Sequence, residues 1–225
     1  MNRKNIKRMV GIATLCAITF VLQFWISGVL PKLPIGPGGT AINLALIPVV
    51  VGTILYGPKG GLTVGLFLGV ITLMPGQGAE GFYVNWYMTI LAIILCLLKT
   101  GLAGFVAGVV FRLLKKYNFV VATVAAAIIT PIVNTGIFIL LYGVLMYIMT
   151  GEAYGVTFVA ITVSVWIAFL IELGINAILG PSIASLIKIL ARNSNLGFSN
   201  DFSNVIIDQK VIEKSDNSDS INWYW

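Results

Sequence analysis

Residues 47–61 read IPVVVGTILYGPKGG, an apolar run that stops at Tyr56-Gly57-Pro58 and is followed almost at once by a second apolar run. Adjacent glycine and proline are strong turn signals. Long apolar runs on both sides of such a turn are typical of segments that cross a bilayer. The stretch therefore predicts two membrane spans joined by a tight turn, which carries one cation, Lys59.

The composition extends this interpretation to the whole chain. Of its 225 residues, 58% are hydrophobic and only 10% are charged, against roughly 25% charged residues in a soluble domain. We predict an all-α integral membrane protein with six transmembrane helices, at about residues 9–26, 41–56, 61–74, 86–114, 119–149 and 157–190. Residues 1–192 form this membrane domain, and the polar residues 193–225 are expected to form a disordered cytoplasmic tail.

Lysine and arginine predict the orientation of the chain. They cluster before the first span and at the ends of the fourth and sixth: Arg3, Lys4, Lys7, Arg8, Arg112, Lys115, Lys116, Lys188 and Arg192. Six spans place all three clusters on one side, which the positive-inside rule makes cytoplasmic, so both termini are predicted to be cytoplasmic. The net charge of +6 then follows membrane topology and does not indicate a nucleic-acid partner. The longer connections, residues 27–40, 75–85 and 150–156, lie outside, so we expect recognition from outside.

Small residues recur at helical spacing in three of the spans. Glycines follow one another every four residues in the third and fourth spans, at Gly61, Gly65, Gly69, Gly104 and Gly108. Small residues on one helix face let two backbones approach closely, so we predict that these glycines pack helices within the chain. Ala13 and Ala17 form a similar pair on the first span, which either packs internally or docks another membrane protein.

Four polar residues lie deep inside apolar spans: Lys99, Asn134, Glu172 and Asn176. A charge near the bilayer centre costs at least ~2.5–3.5 kcal/mol, so its presence indicates a role. Glu172 and Asn176 are four residues apart and therefore share one helix face, which we predict to face the bundle interior. Lys99 and Glu172 form either an ion pair that fixes helix packing or a ligand site with complementary charges.

Aromatic and amide residues gather near the outer ends of the spans, at Trp25, Asn43, Asn85 and Trp86. Tryptophan is common at membrane interfaces, which is one explanation for the two indoles. The alternative is a binding site, because amides beside aromatic faces suit a flat ligand that forms hydrogen bonds. The sequence leaves both explanations open.

Several kinds of catalytic site are excluded by the residues that the chain lacks. It has no P-loop motif, and it contains no histidine, so histidine-based zinc sites and Ser-His-Asp triads are ruled out. Its carboxylates are too scattered for an acidic metal site. We therefore expect no enzyme activity, no metal and no cofactor. The chain also lacks an evident pair of inverted repeats, the usual mark of a self-sufficient secondary transporter.

An ordered series of segments resembles one family. The segment INLALIPVVVGTILYGPKGGLTVGLFLGVI is similar to the second and third helices of the substrate-binding S components of energy-coupling factor (ECF) vitamin transporters. LLKTGLAGFVAGVVFRLLKK is similar to their fourth helix, ITPIVNTGIF to the fifth and FLIELGINAILGPSIASLI to the sixth. The resemblance covers about residues 7–191.

The resemblance implies a function and partners. An S component binds a small water-soluble vitamin or precursor from outside, in a bacterial cell membrane, and is not itself an enzyme. A transmembrane T component and two cytoplasmic ATPase subunits power the import, and the matching Ala-x-x-x-Ala face on the first helix, Ala13 and Ala17, docks on the T component. Position relative to the outer loops, together with the polar residues above, gives the predicted substrate-binding set: Trp25, Asn43, Asn85, Trp86, Lys99, Asn134, Glu172 and Asn176.

Two other functions are compatible with the residues. One is a stand-alone secondary transporter that uses Glu172 as a proton-coupling carboxylate. The other is a membrane scaffold whose packing faces bind other subunits and no small molecule.

Overall fold

A computed structural model describes residues 3–29, 43–74, 86–150 and 156–193, and this part of the chain is helical with no strand. It contains five helices: α1 (Arg3–Val29), α2 (Leu46–Thr72), α3 (Trp86–Leu114), α4 (Phe119–Thr150) and α5 (Val156–Asn193). All five are long and apolar enough to cross a membrane. The predicted all-α membrane class is therefore confirmed, while Asn85 and the tail beyond Asn193 lie outside the described residues.

The second helix folds back on itself at Gly57. This residue has φ 75° and ψ −172° inside an otherwise helical segment. A β-carbon added to Gly52 would lie 3.1 Å from Val64, whereas twelve residues of straight helix would separate these positions by about 18 Å. The two arms of α2 therefore run back along each other, and the tight turn predicted at Gly57-Pro58 is confirmed. This element includes most of the second predicted span (41–56) and most of the third (61–74).

Gly57→Ala is expected to destabilise the protein by about 1–3 kcal/mol, because glycine is essentially the only residue that adopts this region of φ and ψ. The cost is purely conformational, since no atom lies within 4 Å of the added β-carbon. Gly136→Ala is the matched control, because its added β-carbon also meets nothing while its backbone is helical. Thermal unfolding in detergent should show a lowered midpoint for Gly57→Ala alone. Equal midpoints for the two variants would contradict this account of the turn.

The first helix is anchored to the same turn. The guanidinium of Arg8 donates a hydrogen bond of 3.1 Å to the main-chain oxygen of Tyr56, the last residue before Gly57. A cation at this position complements the carbonyl groups left unpaired at the end of a helix. Gly11 packs against the Tyr56 ring so closely that a β-carbon would overlap it. Sequence reasoning assigned Arg8 only to topology and missed this contact.

The glycines of the second arm of α2 pack directly on α3. A β-carbon on Gly61 would lie 2.5 Å from the main-chain oxygen of Gly104, one on Gly65 would overlap the oxygen of Thr100, and one on Gly69 would lie 2.8 Å from that of Cys96. Because the partners descend in number as the glycines ascend, the arm and α3 are antiparallel. The predicted close packing of helices within the chain is confirmed.

Basic residues collect at one end of the bundle, which we call the basic end. Arg8 and Lys59 flank the Gly57 turn, and Gly108 of α3 packs against Pro58, so that Arg112 lies one turn further along. Lys188 of α5 lies over the Phe119 ring at the start of α4, with its nitrogen 5.7 Å from the ring centroid.

An apolar core fills the half of the bundle nearest the basic end. It contains the first arm of α2, with Leu46, Val49, Val50 and Ile54 at most 1% exposed. It also contains later residues of α3, the first turns of α4 and the last turns of α5, including Ala107, Phe111, Phe119, Ala122, Ala126, Ile183 and Ile187. Just beyond this core lie the buried polar residues of the candidate site.

Candidate functional site

Five predicted site residues lie just beyond the apolar core, on the side away from the basic end; we call them the polar layer: Asn43, Lys99, Asn134, Glu172 and Asn176. Lys99 precedes Arg112 by 13 residues, and Asn176 precedes Lys188 by 12. At 1.5 Å per helical residue both are about 18–20 Å from the basic end. Four elements of the bundle therefore contribute polar groups at a similar depth.

The start of α2 and the middle of α5 meet through a hydrogen bond. The main-chain N–H of Asn43 donates to Oε1 of Glu172 over 2.7 Å, and Glu172 is only 6% exposed. Asn43 precedes the first turn of α2, whose unpaired N–H groups and helix dipole favour a negative charge. The carboxyl group of Glu172 is thus held where a helix begins, which offsets part of the cost of its burial.

Asn176 lies one turn beyond Glu172 on the buried face of α5 and is fully buried. Its Nδ2 donates to the main-chain oxygen of Glu172 over 2.8 Å. That bond fixes the amide orientation and leaves Oδ1 as the group that is free to accept. The prediction that Glu172 and Asn176 share a face turned into the bundle is confirmed by their burial.

Lys99 does not form the direct ion pair with Glu172 that sequence reasoning offered as one explanation. Its ammonium nitrogen instead lies 5.1 Å from the centre of the Phe138 ring on α4, and among the described residues it makes no hydrogen bond or ion pair. Phe138 in turn stacks on Tyr142, with ring centroids 5.5 Å apart.

Phe138 and Tyr142 were missed by the sequence analysis. They follow Asn134 at intervals of four residues, so the three share one face of α4. That spacing was the available signal. Asn134 and Tyr142 are only 7% and 6% exposed, so this face of α4 points into the bundle.

Three side-chain oxygens in the polar layer are buried and have no hydrogen-bond partner among the described residues. They are Oδ1 of Asn43, Asn134 and Asn176, and the described residues contain no other buried side-chain nitrogen or oxygen in this condition. A buried acceptor without a partner costs about 1–3 kcal/mol. All three belong to the set that the sequence predicted for substrate binding, so the polar layer is built with unused hydrogen-bonding capacity.

The predicted aromatic residues lie elsewhere. Trp25 and Trp86 are 73% and 77% exposed, and the ring of Trp86 contacts that of Tyr87 edge-on, 5.9 Å between centroids. The structure therefore does not bring them into the polar layer, and their role in substrate binding stays a prediction, as does that of Asn85.

The polar layer holds amide oxygens and a carboxyl group that are able to accept hydrogen bonds, just before α2 and on α4 and α5, and an ammonium group on α3 that is able to donate them. Within the described ranges, no group of three His, Cys, Asp or Glu side chains is placed to hold a metal ion.

Ala13 and Ala17 lie on the outer surface of α1, where both are exposed. Much larger exposed side chains surround them, including Met9, Val10 and Phe20. In the described part of the chain, Ala13 and Ala17 do not pack internally, which was one of the two alternatives left open by the sequence. We call these two small residues, set among larger exposed side chains, the Ala13 and Ala17 notch.

Comparison with known proteins identifies a family. The family model described as "ECF transporter, substrate-specific component" matches residues 7–187. No individual curated protein matches the chain.

Proposed function

The chain belongs to the substrate-specific components of ECF transporters, and from this premise we propose that it captures a small water-soluble vitamin or precursor from outside the cell. In this proposal a transmembrane T component and two cytoplasmic ATPase subunits drive release of the substrate inward. The chain itself is a transporter subunit of the membrane and catalyses no reaction.

One observation carries the proposal that the polar layer is the substrate site. The described residues hold three buried side-chain oxygens without partners, and all three belong to amides predicted for the site. Natural proteins leave few such groups unpaired, and each one calls for an explanation. A substrate that supplies the missing partners explains all three at once.

The proposed topology has six membrane passes with both termini in the cytoplasm. Gly57 divides α2 into two arms, and we assign one pass to each arm together with its flanking residues. The basic end then faces the cytoplasm under the positive-inside rule. The polar layer, about 18–20 Å from that end, lies past the middle of an about 30 Å hydrocarbon core and nearer the outer face.

The proposed docking face for the T component is the Ala13 and Ala17 notch of α1. Of the five described helices, α1 is the least buried: 17% of an apolar 18-residue stretch of α1 is buried, against 33–56% of the corresponding stretches in the other four helices. In lipid, small residues are what allow two helices to approach closely. A second membrane helix seated on this notch accounts for the small residues and for the exposed apolar surface beside them.

Uptake measurements test the function. Cells that express this chain alone should accumulate no vitamin above background, and co-expression of the T component and the two ATPases should restore uptake. A matched control carries an ATPase defective in hydrolysis, and it should abolish the restored uptake. Proton-dependent uptake by the chain alone would contradict the proposal and support a secondary transporter that uses Glu172.

A further inference from the structure

We propose that the seam between the second arm of α2 and α3 binds an anionic phospholipid, with its acyl chains along the seam and its phosphate between Lys59 and Arg112. The seam is the outer surface along which these two antiparallel helices meet. This inference goes beyond the proposed function and does not depend on it.

The middle of the seam is apolar and partly open. A β-carbon added to Gly101 of α3 would lie 2.8 Å from Cδ2 of Leu66 and 3.4 Å from Cδ1 of Leu62, so these two leucines of α2 lie beside a position that has no side chain. Leu66 is 38% exposed and Leu62 is half-buried. An acyl chain can therefore contact both leucines without displacing any side chain at Gly101.

The same face of α3 continues toward the basic end. Phe105 follows Gly101 by four residues and Arg112 follows Phe105 by seven, so the three share one face of the helix. Phe105 is 39% exposed. Between Phe105 and Arg112, Gly108 packs on Pro58 at the start of the second arm. The apolar surface of the seam thus extends through the phenyl ring and ends at a guanidinium group.

The α2 side of the seam ends in a cation as well. Lys59 precedes Leu62 by three residues and Leu66 by seven, so all three lie on one face of the second arm. Lys59 and Arg112 are both exposed. The only aspartate or glutamate in the described ranges is Glu172, which lies in the polar layer about 18–20 Å from the basic end. No carboxylate of the described residues therefore competes with a phosphate group at this end of the seam.

An anionic phospholipid is the partner whose chemistry fits both parts of the seam. Lysine and arginine bind phosphate oxygens through charge-assisted hydrogen bonds, and basic groups at a membrane surface attract anionic lipids. Phosphatidylcholine contains the same phosphate, but its choline group adds a positive charge beside the two cations. A transmembrane helix of another protein would cover the apolar surface and would leave the pair of cations unexplained.

Native mass spectrometry of the purified full-length protein tests the headgroup. The protein is titrated with phosphatidylglycerol or with phosphatidylcholine of the same acyl chains, and we expect phosphatidylglycerol to bind more tightly. Lys59→Gln together with Arg112→Gln should weaken phosphatidylglycerol binding roughly 30-fold, because each cation near the headgroup contributes about fivefold. If this double variant has a lowered unfolding midpoint, Lys59→Gln alone is used, with an expected loss of about fivefold.

The matched control removes the same charge from elsewhere at the basic end. Lys116 and Lys188 are exposed, and Lys188 lies over the Phe119 ring at the start of α4, away from the seam. Lys116→Gln together with Lys188→Gln should change the affinity less than threefold. An equal loss in the control pair would show diffuse attraction by the whole basic end and overturn the proposal. Equal affinity of the unmodified protein for the two lipids would overturn it too.

Photocrosslinking in cells that contain the complete transporter tests the occupant. We expect p-benzoylphenylalanine in place of Phe105 to attach phospholipid, with the anionic fraction at least twofold above that at a control position. Val121 is the control, because it is 56% exposed on α4 near the basic end and lies outside the seam. Attachment at position 105 to the T component or to a second copy of the chain would overturn the proposal, and so would the same lipid composition at both positions.

Discussion

Replacing Ala13 with tryptophan is expected to abolish ATP-driven uptake while leaving ligand binding unchanged. Ala13 is exposed on α1 and lies near the basic end, away from the polar layer, because Gly11 two residues before it packs against Tyr56. A close helix contact in lipid depends on small side chains, so an indole at this position holds the T component away. The measurement pairs uptake by the assembled transporter with calorimetric affinity for the purified subunit.

Ile18→Trp is the control for this variant. Ile18 is 44% exposed on the same helix, but five residues rotate it by about 140° from Ala13. It should preserve both uptake and binding. If Ala13→Trp instead lost ligand binding, the face would be internal packing and the docking assignment would fail.

Replacing Glu172 with glutamine is expected to weaken ligand affinity by at least roughly 1.5–3 kcal/mol, the contribution of a hydrogen bond to a charged group. That corresponds to about 10- to 150-fold in the dissociation constant. Glutamine has nearly the same shape and retains an oxygen that can accept the N–H of Asn43. The loss therefore reports on the charge and leaves the packing of α5 nearly unchanged.

Ser185→Ala on the same helix provides the comparison for Glu172→Gln. Ser185 is exposed and bonds only locally, to the main-chain oxygen of Pro181, so its removal should leave affinity unchanged. Equal affinities for Glu172→Gln and the unmodified chain, in protein that unfolds normally, would remove Glu172 from the binding site.

The fold was predictable from the sequence wherever the membrane environment restricts which structures are stable. Lipid requires long apolar helices, and a Gly-Pro pair requires a turn, so the spans and the reversal at Gly57 followed from composition and local chemistry. The contacts between helices did not follow. Ile94 is 45% exposed while its neighbour Leu95 is 3% exposed, yet both are aliphatic, so hydropathy alone does not reveal which side of α3 faces the bundle.

The candidate site was predictable for residues whose burial is costly. Asn134, Glu172 and Asn176 are conspicuous in apolar spans, and the structure buries all three. A direct Lys99–Glu172 ion pair, one of the two alternatives that the sequence left open, is not formed among the described residues. In the bundle α3 and α5 each pack on α4, so the ammonium group of Lys99 meets a ring of α4 first. Helix order of this kind is a property of the folded bundle, and residue spacing within one helix does not encode it.

Native mass spectrometry of the protein, released from detergent without added ligand, tests the central claim most directly. The account predicts one bound small molecule per chain at near-stoichiometric occupancy, identified by fragmentation as a vitamin or a precursor. It also predicts that the occupancy of the bound molecule is lower in Glu172→Gln and unchanged in Ala13→Trp. A folded chain that carries no bound molecule, and binds none when incubated with riboflavin, thiamine, biotin or folate, would contradict the account and favour a membrane scaffold.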